Sequence, residues 1–235
     1  MTRYIRLVVP LWFAVCVMLV PFARGDDSPA GESRDYVFVF ITSGPVTPTR
    51  EQAQEAMQGH FANMERLAEV GKLLIAGPLV DPRSDPKHRG IFVFDETDVG
   101  EGLKLAETDP AAEMGVFTMT AHRFTTDRPL TDLPRLEKED EARRLADPDV
   151  PDAWEGRRYY FASAPWDEAA GGAASRAAGV PIAGRLHGAG ADGTDLLLIW
   201  LDAEAEAAAR EMLPEGPAWT VHGWYGSKMV AEMGA

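Results

Sequence analysis

A short phrase occurs twice in this chain. Ile75-Ala76-Gly77-Pro78-Leu79 returns as Ile182-Ala183-Gly184-Arg185-Leu186, and Ile91-Phe92-Val93-Phe94-Asp95 is echoed by Leu196-Leu197-Leu198-Ile199-Trp200-Leu201-Asp202. Internal duplication constrains a fold more than any local propensity, because each copy must form the same supersecondary unit and bury the same face.

The first copy reads clearly. Residues 36–41 are an unbroken apolar run, the pattern of a strand buried on both faces. A helix is predicted over 49–70, where Thr49 and Gln52 form a capping box and Met57, His60, Met64 and Leu67 share one face. Gly71 ends it as a left-handed C-terminal residue does. Residues 72–76 have strand character, stopped by Gly77-Pro78. A polar loop over 81–89 leads to a third strand at 90–94, a helix from Asp95 or Thr97 to about Glu107, and a fourth strand at 114–124. The order βαββαβ is that of a ferredoxin-like α+β sandwich.

Residues 127–156 are charged and proline-containing, a connector with a short solvated helix over 135–145. The second copy then supplies strands at 158–163, 182–186, 196–202 and 219–225, with helices over 166–178 and 203–213. Each unit leaves one sheet face bare, and units so small bury little surface alone. The expectation is therefore α+β: two tandem ferredoxin-like (βαββαβ) units packed through their bare faces as an intrachain pseudo-dimer resembling a dimeric α/β barrel.

The domain plan reads as a signal peptide at 1–25, a polar linker at 26–34, a first unit at 35–126, the connector at 127–156 and a second unit at 157–235. The start has arginines, an apolar stretch over 7–22 and small residues before Asp26, the layout of a secretory signal. Sixteen apolar residues fall short of the ~20 a spanning helix needs. Export to the periplasm or beyond the cell is expected, with an N-terminal membrane anchor as the alternative. The single cysteine, Cys16, lies inside the signal, so cleavage leaves a chain without thiol or disulfide chemistry. The formal net charge is −14. Such a surface excludes nucleic acid and anionic membrane as partners. A small-molecule ligand or substrate remains, and a further homodimer is open.

In order, His60, the run Gly71-Lys72-Leu73-Leu74-Ile75-Ala76-Gly77-Pro78, Arg89-Gly90-Ile91-Phe92 and Thr108-Asp109-Pro110-Ala111 with Gly115 resemble the YCII-related (YciI-like) domains over residues 36–125. Ile182-Ala183-Gly184 and Trp224-Tyr225-Gly226 resemble the same pattern more faintly. The resemblance implies a ferredoxin-like fold that pairs into an α+β barrel, with a His–Asp pair, here His60 and Asp109, as the active site. Some relatives act as dehydrochlorinases or resemble muconolactone isomerases, in which a base moves a proton beside a carbonyl. The second copy has Glu168 where His60 would fall and Pro214-Glu215-Gly216-Pro217 in place of the Asp-Pro turn, so one site per chain is expected.

Each candidate has a plain alternative. Imidazole exchanges protons near neutrality, and a carboxylate would fix its tautomer; equally, His60 could be a core histidine. Asp109 before Pro110 is what a helix N-cap with proline at its first position looks like. Gly77 and Pro78 would shape a pocket, and Arg89 could hold a substrate carboxylate or be a surface charge. The 81–89 loop offers two carboxylates and a histidine, but two prolines and several cations argue against a metal site. No cofactor or metal motif is present. His122, His187 and His222 have no acidic neighbour at a telling spacing and read as structural, while Trp200, Trp219, Trp224 and Tyr225 read as an aromatic cluster. The leading reading is a lyase or isomerase with His60 as general acid/base and Asp109 orienting it; the alternative is a non-catalytic binding or structural module.

Overall fold

The computed structural model describes residues 32–147, 149, 150 and 153–234. The expected signal peptide and Cys16 lie outside them. The first half runs β1 (Arg34–Ser43), α1 (Arg50–Glu69), β2 (Leu73–Val80), β3 (His88–Phe94), α2 (Val99–Glu107), α3 (Pro110–Glu113) and β4 (Phe117–Thr126). After α4 (Leu133–Ala146), the second half runs β5 (Gly156–Pro165), α5 (Glu168–Ala174), β6 (Ile182–Leu186), β7 (Leu196–Leu201), α6 (Glu206–Glu211) and β8 (Thr220–Ser227).

All eight strands close into one antiparallel barrel in the order β1-β3-β2-β8-β5-β7-β6-β4. Two seams join the halves. One is Leu79 with Trp224 and Val80 with Gly223; the other is Phe124 with Leu186 and Thr125 with Arg185. The architecture is thus a mixed α/β fold around an eight-stranded barrel.

Strand alternation separates the inside from the outside. On β1, Tyr36 and Phe38 join Phe124, Phe161, Trp200 and Trp224 in the interior core, while Val37, Val39 and Ile41 pack outward with Leu67 and Ala106 of the helices. A second outer layer lies under α5 and α6. One barrel end is sealed by Leu130 and Leu133, and by Met229, Val230 and Met233 of the C-terminal 3-10 segment Lys228–Gly234. Tyr36 and Tyr159 hold these caps: Leu130 N–H donates to the Tyr36 hydroxyl at 3.0 Å, and Ala231 N–H to that of Tyr159 at 3.2 Å. The α4 helix is less solvated than its charge suggests. Leu133 is buried, and Glu137 is sunk far enough for burial to push its carboxyl up, against a hydrogen bond from Ser227 that lowers it.

Three local expectations need correcting. The strand at Gly77-Pro78 does not stop but continues to Val80, because the neighbouring strand crosses directly over Gly77. A Cβ there would lie 2.1 Å from the Tyr225 backbone oxygen, so a glycine is required where β8 closes the barrel. Residues 114–116 are turn rather than strand; Gly115, at φ 70°, ends α3 and redirects the chain into β4. The aromatic cluster is split: Trp200 and Trp224 are interior, Trp219 packs outside against the α5–α6 layer, and Tyr225 is exposed.

Candidate active site

His60 sits in the middle of α1, whose capping box is formed as the sequence predicts, with Thr49 and Gln52 exchanging side chain-to-backbone bonds. Asp109 precedes α3 and caps it, its Oδ1 accepting the Ala111 N–H at 2.9 Å, with Pro110 at the first helical position. Its other oxygen, Oδ2, lies 2.5 Å from His60 Nδ1. The carboxylate is fully buried and the histidine 8% exposed. One side chain therefore both starts a helix and holds an imidazole. An ionised carboxylate can only accept, so Nδ1 carries the hydrogen and Nε2 is the nitrogen left for chemistry.

Sequence reasoning missed what brings the two together. Gly59 lies against the Pro110 ring, and a Cβ at 59 would stand 2.8 Å from Pro110 Cβ and Cγ. A glycine in mid-helix beside a histidine is the signal that could have found it. Behind the ring, Asn63 is buried and its Oδ1 accepts from Arg66 at 2.7 Å and Thr108 at 3.2 Å. This ties α1 to the turn that carries Asp109.

The imidazole is fixed by three phenyl rings. Phe92 of β3 stacks on it at 5.7 Å between centroids and 20° between planes; Phe117 meets it edge-on at 5.4 Å, and Phe61 is tilted at 5.6 Å. Together with Ile41, Met57 and Met64 these rings line a cavity of about 130 Å³ between α1 and the outer barrel face, room for about four waters. His60, Gly77, Pro78 and Arg89 all line it; Asp109 stands behind the histidine, outside the lining. The Arg89 Nε donates to Ser43 Oγ at 2.7 Å, an anchor that leaves the two terminal nitrogens for a ligand. Phe61 and Met64 also border a second hollow of about 270 Å³ that reaches Trp224 and Glu137.

The other sequence candidates fall elsewhere. Glu168, at the position equivalent to His60, is exposed at the start of the seven-residue α5. His187 does have an acidic neighbour, Asp195, at 3.5 Å; the β6–β7 hairpin brings together two residues whose spacing in sequence gave no hint. Among the described residues no group of three or more His, Cys, Asp or Glu could hold a metal ion, and no helix is long and apolar enough to cross a membrane.

Residues 36–122 match the YCII-related domain family. No curated protein matches the chain. Among solved structures, the small subunit of acetolactate synthase from Thermotoga maritima is similar at 12% identity, over 81% of this chain and 96% of that one, with a TM-score of 0.25; a likeness so slight carries no argument.

Proposed function

Taking residues 36–122 as a YCII-related domain, we propose that the chain is a small-molecule lyase or isomerase in which His60 is the general acid/base. The single observation that carries this is the His60–Asp109 contact of 2.5 Å on a histidine that also lines a cavity. A core histidine needs a partner but no hollow; a proton-transfer base needs both. Asp109 is a positioning residue, since it touches the ring and not the cavity. It holds Nδ1–H, orients Nε2 and stabilises the imidazolium as it forms.

The cavity bounds the chemistry. It admits the reacting end of a small molecule, with apolar walls that strengthen any charge interaction inside. Arg89 at its rim suits a carboxylate, held bidentately by the terminal guanidinium nitrogens. A carbonyl compound anchored there would present its α-carbon to Nε2. The base takes that proton, the C–H electrons pass into an enolate, and the proton returns at another carbon or a neighbouring leaving group departs with its electron pair. A bulkier remainder would lie across Phe61 toward the second hollow.

The strand orders β4-β1-β3-β2 and β8-β5-β7-β6 support reading the chain as two tandem ferredoxin-like units, the second a scaffold that completes the barrel. Export through an N-terminal signal, with small molecules as the partners, belongs to the same reading.

The test is solvent exchange. Small chlorinated and lactone carboxylates are incubated in D2O with wild type and His60→Ala, and α-proton loss and product formation are followed by NMR. Catalysis by wild type, reduced by on the order of 10² or more in His60→Ala, is the expected result. Equal turnover by both proteins, or none by either, overturns the assignment.

A further inference from the structure

A cavity of about 610 Å³ lies at the end of the barrel opposite the sealed one. Its position makes it independent of the His60 site, which lies outside the barrel under α1. Six strands contribute to its wall, and three of them bring a histidine: His88 from β3, His122 from β4 and His222 from β8. Phe40 and Phe161 line the same cavity, and Trp200 packs behind Phe161 at 4.8 Å between centroids. In a chain of net charge −14, none of the described residues lining this cavity carries a formal charge.

The three imidazoles are poorly satisfied by the protein. The buried Nδ1 of His88 has no hydrogen-bond partner. His222 is 4% exposed, and its ring nitrogens reach only Ser84, each at 3.4 Å. His122 makes one long contact, 3.3 Å from Nδ1 to the His187 carbonyl oxygen. Buried polar groups in folded proteins have partners as a rule, and clustered exceptions call for a reason. Burial pushes His222 down to about 4, helped by His88, and lowers His122 as well. In its neutral form an imidazole offers one donor and one acceptor, and no lysine or arginine lines the cavity. The cavity falls in the size range of small-molecule sites, which are mostly apolar with a few convergent polar groups.

We propose that this barrel mouth is a second binding site, for an uncharged planar aromatic molecule bearing a hydroxyl group. The ring lies against Phe40 and Phe161, and the hydroxyl both donates to and accepts from the histidines. A carboxylate or phosphate is disfavoured, because it would lose its water to a site lined by no lysine or arginine.

The experiment uses 2-naphthol as probe, with naphthalene and 2-naphthoate as comparisons, each titrated into the full chain by calorimetry with ligand-observed NMR. Saturable binding of 2-naphthol is expected, with both comparisons at least tenfold weaker. His222→Phe should remove the advantage of 2-naphthol over naphthalene. Ser163→Trp fills the mouth and should abolish binding; Thr120→Trp, on a different strand of the same wall, does the same if the first variant fails to fold. His60→Ala should bind as wild type does. The proposal is overturned by absence of saturable 2-naphthol binding, by 2-naphthoate binding as tightly, by unchanged binding in a folded blocking variant, or by loss of binding in His60→Ala. The last outcome would move the ligand to the site under α1.

Discussion

Tyr36 and Tyr159 stand at matching places near the starts of β1 and β5, and each hydroxyl receives an amide from the segment that follows the last strand of its half. The match extends outward. Arg34 lies over the Tyr36 ring at 5.3 Å and Arg157 over the Tyr159 ring at 5.2 Å, and these arginines pair with Asp95 and Asp202, the residues just beyond β3 and β7. The two tyrosines are not equally costly to change. Leu130 N–H has a second acceptor in the Arg128 carbonyl at 2.9 Å, whereas the Tyr159 hydroxyl also serves the carbonyls of Ser227 at 2.8 Å and Lys228 at 2.9 Å. Tyr159→Phe should therefore cost about 2 kcal/mol and Tyr36→Phe about 1 kcal/mol. Urea denaturation at neutral pH checks the order, and the reverse order would contradict the assignment of caps.

Asp109→Asn separates capping from positioning. Asparagine caps helices about as well as aspartate, so stability should change by less than about 1 kcal/mol. Its amide, however, can donate to Nδ1 and move the imidazole hydrogen to Nε2. Nitrogen-15 NMR of the His60 ring should show the Nδ1–H tautomer in wild type and its loss in the variant, with any proton-transfer rate falling by on the order of 10². An unchanged tautomer would mean that the carboxylate does not set it.

Two glycines should respond differently to alanine. At Gly59 a methyl gains helix propensity, about 1 kcal/mol, but presses on Pro110. The four-residue α3 can give way, so the expected result is near-normal stability with a lengthened His60–Asp109 contact and reduced activity. At Gly77 the methyl meets the Tyr225 backbone and the Trp224 indole across a seam, and neither can move without opening the barrel. Gly77→Ala should cost roughly 3 kcal/mol. Thermal and urea unfolding of both variants, beside the His60 NMR signals, distinguishes them.

Stability should fall as acid is added. His222 takes up a proton near 4 in the folded chain, against an ordinary value of 6.5, chiefly because it is buried. Between these values the unfolded chain binds more protons, so stability declines as pH drops below about 6.5 and the loss is complete near 4. His122, lowered by burial, acts in the same direction. The His222 contribution is on the order of 2 kcal/mol once partial solvent access is allowed for. Denaturation midpoints for wild type and His222→Gln from pH 7 to pH 4.5 check this, and the variant should lose less.

How far the sequence could be read follows from which interactions are local. The capping box at Thr49, the glycine stop at Gly71 and the unbroken apolar run of β1 are short-range, and each appears where the residues indicate. The pairing of His60 with Asp109 came from a resemblance and not from spacing, since 49 residues separate them. The continuation of β2 through Pro78 depends on β8, a strand far away in the chain, and no local signal could carry it. Of the histidines at the barrel mouth, His122 and His222 have no acidic neighbour at a telling spacing and His88 falls in a polar loop, and no such local pattern says whether the inside of a barrel is filled. In this barrel the aromatic side chains fill one part and leave the other end open.

The paired seams have a consequence for assembly. A sheet with a free margin can recruit a neighbour's strand and grow into a fibre; here each margin is occupied by the other half of the same molecule. Polymerisation by strand capture has no starting point while both seams hold. Should one part, it would bare two complementary margins together, and a second copy in the same state could exchange halves with the first. Closure thus protects the single chain, and it also sets the route by which crowding would turn two chains into a swapped pair.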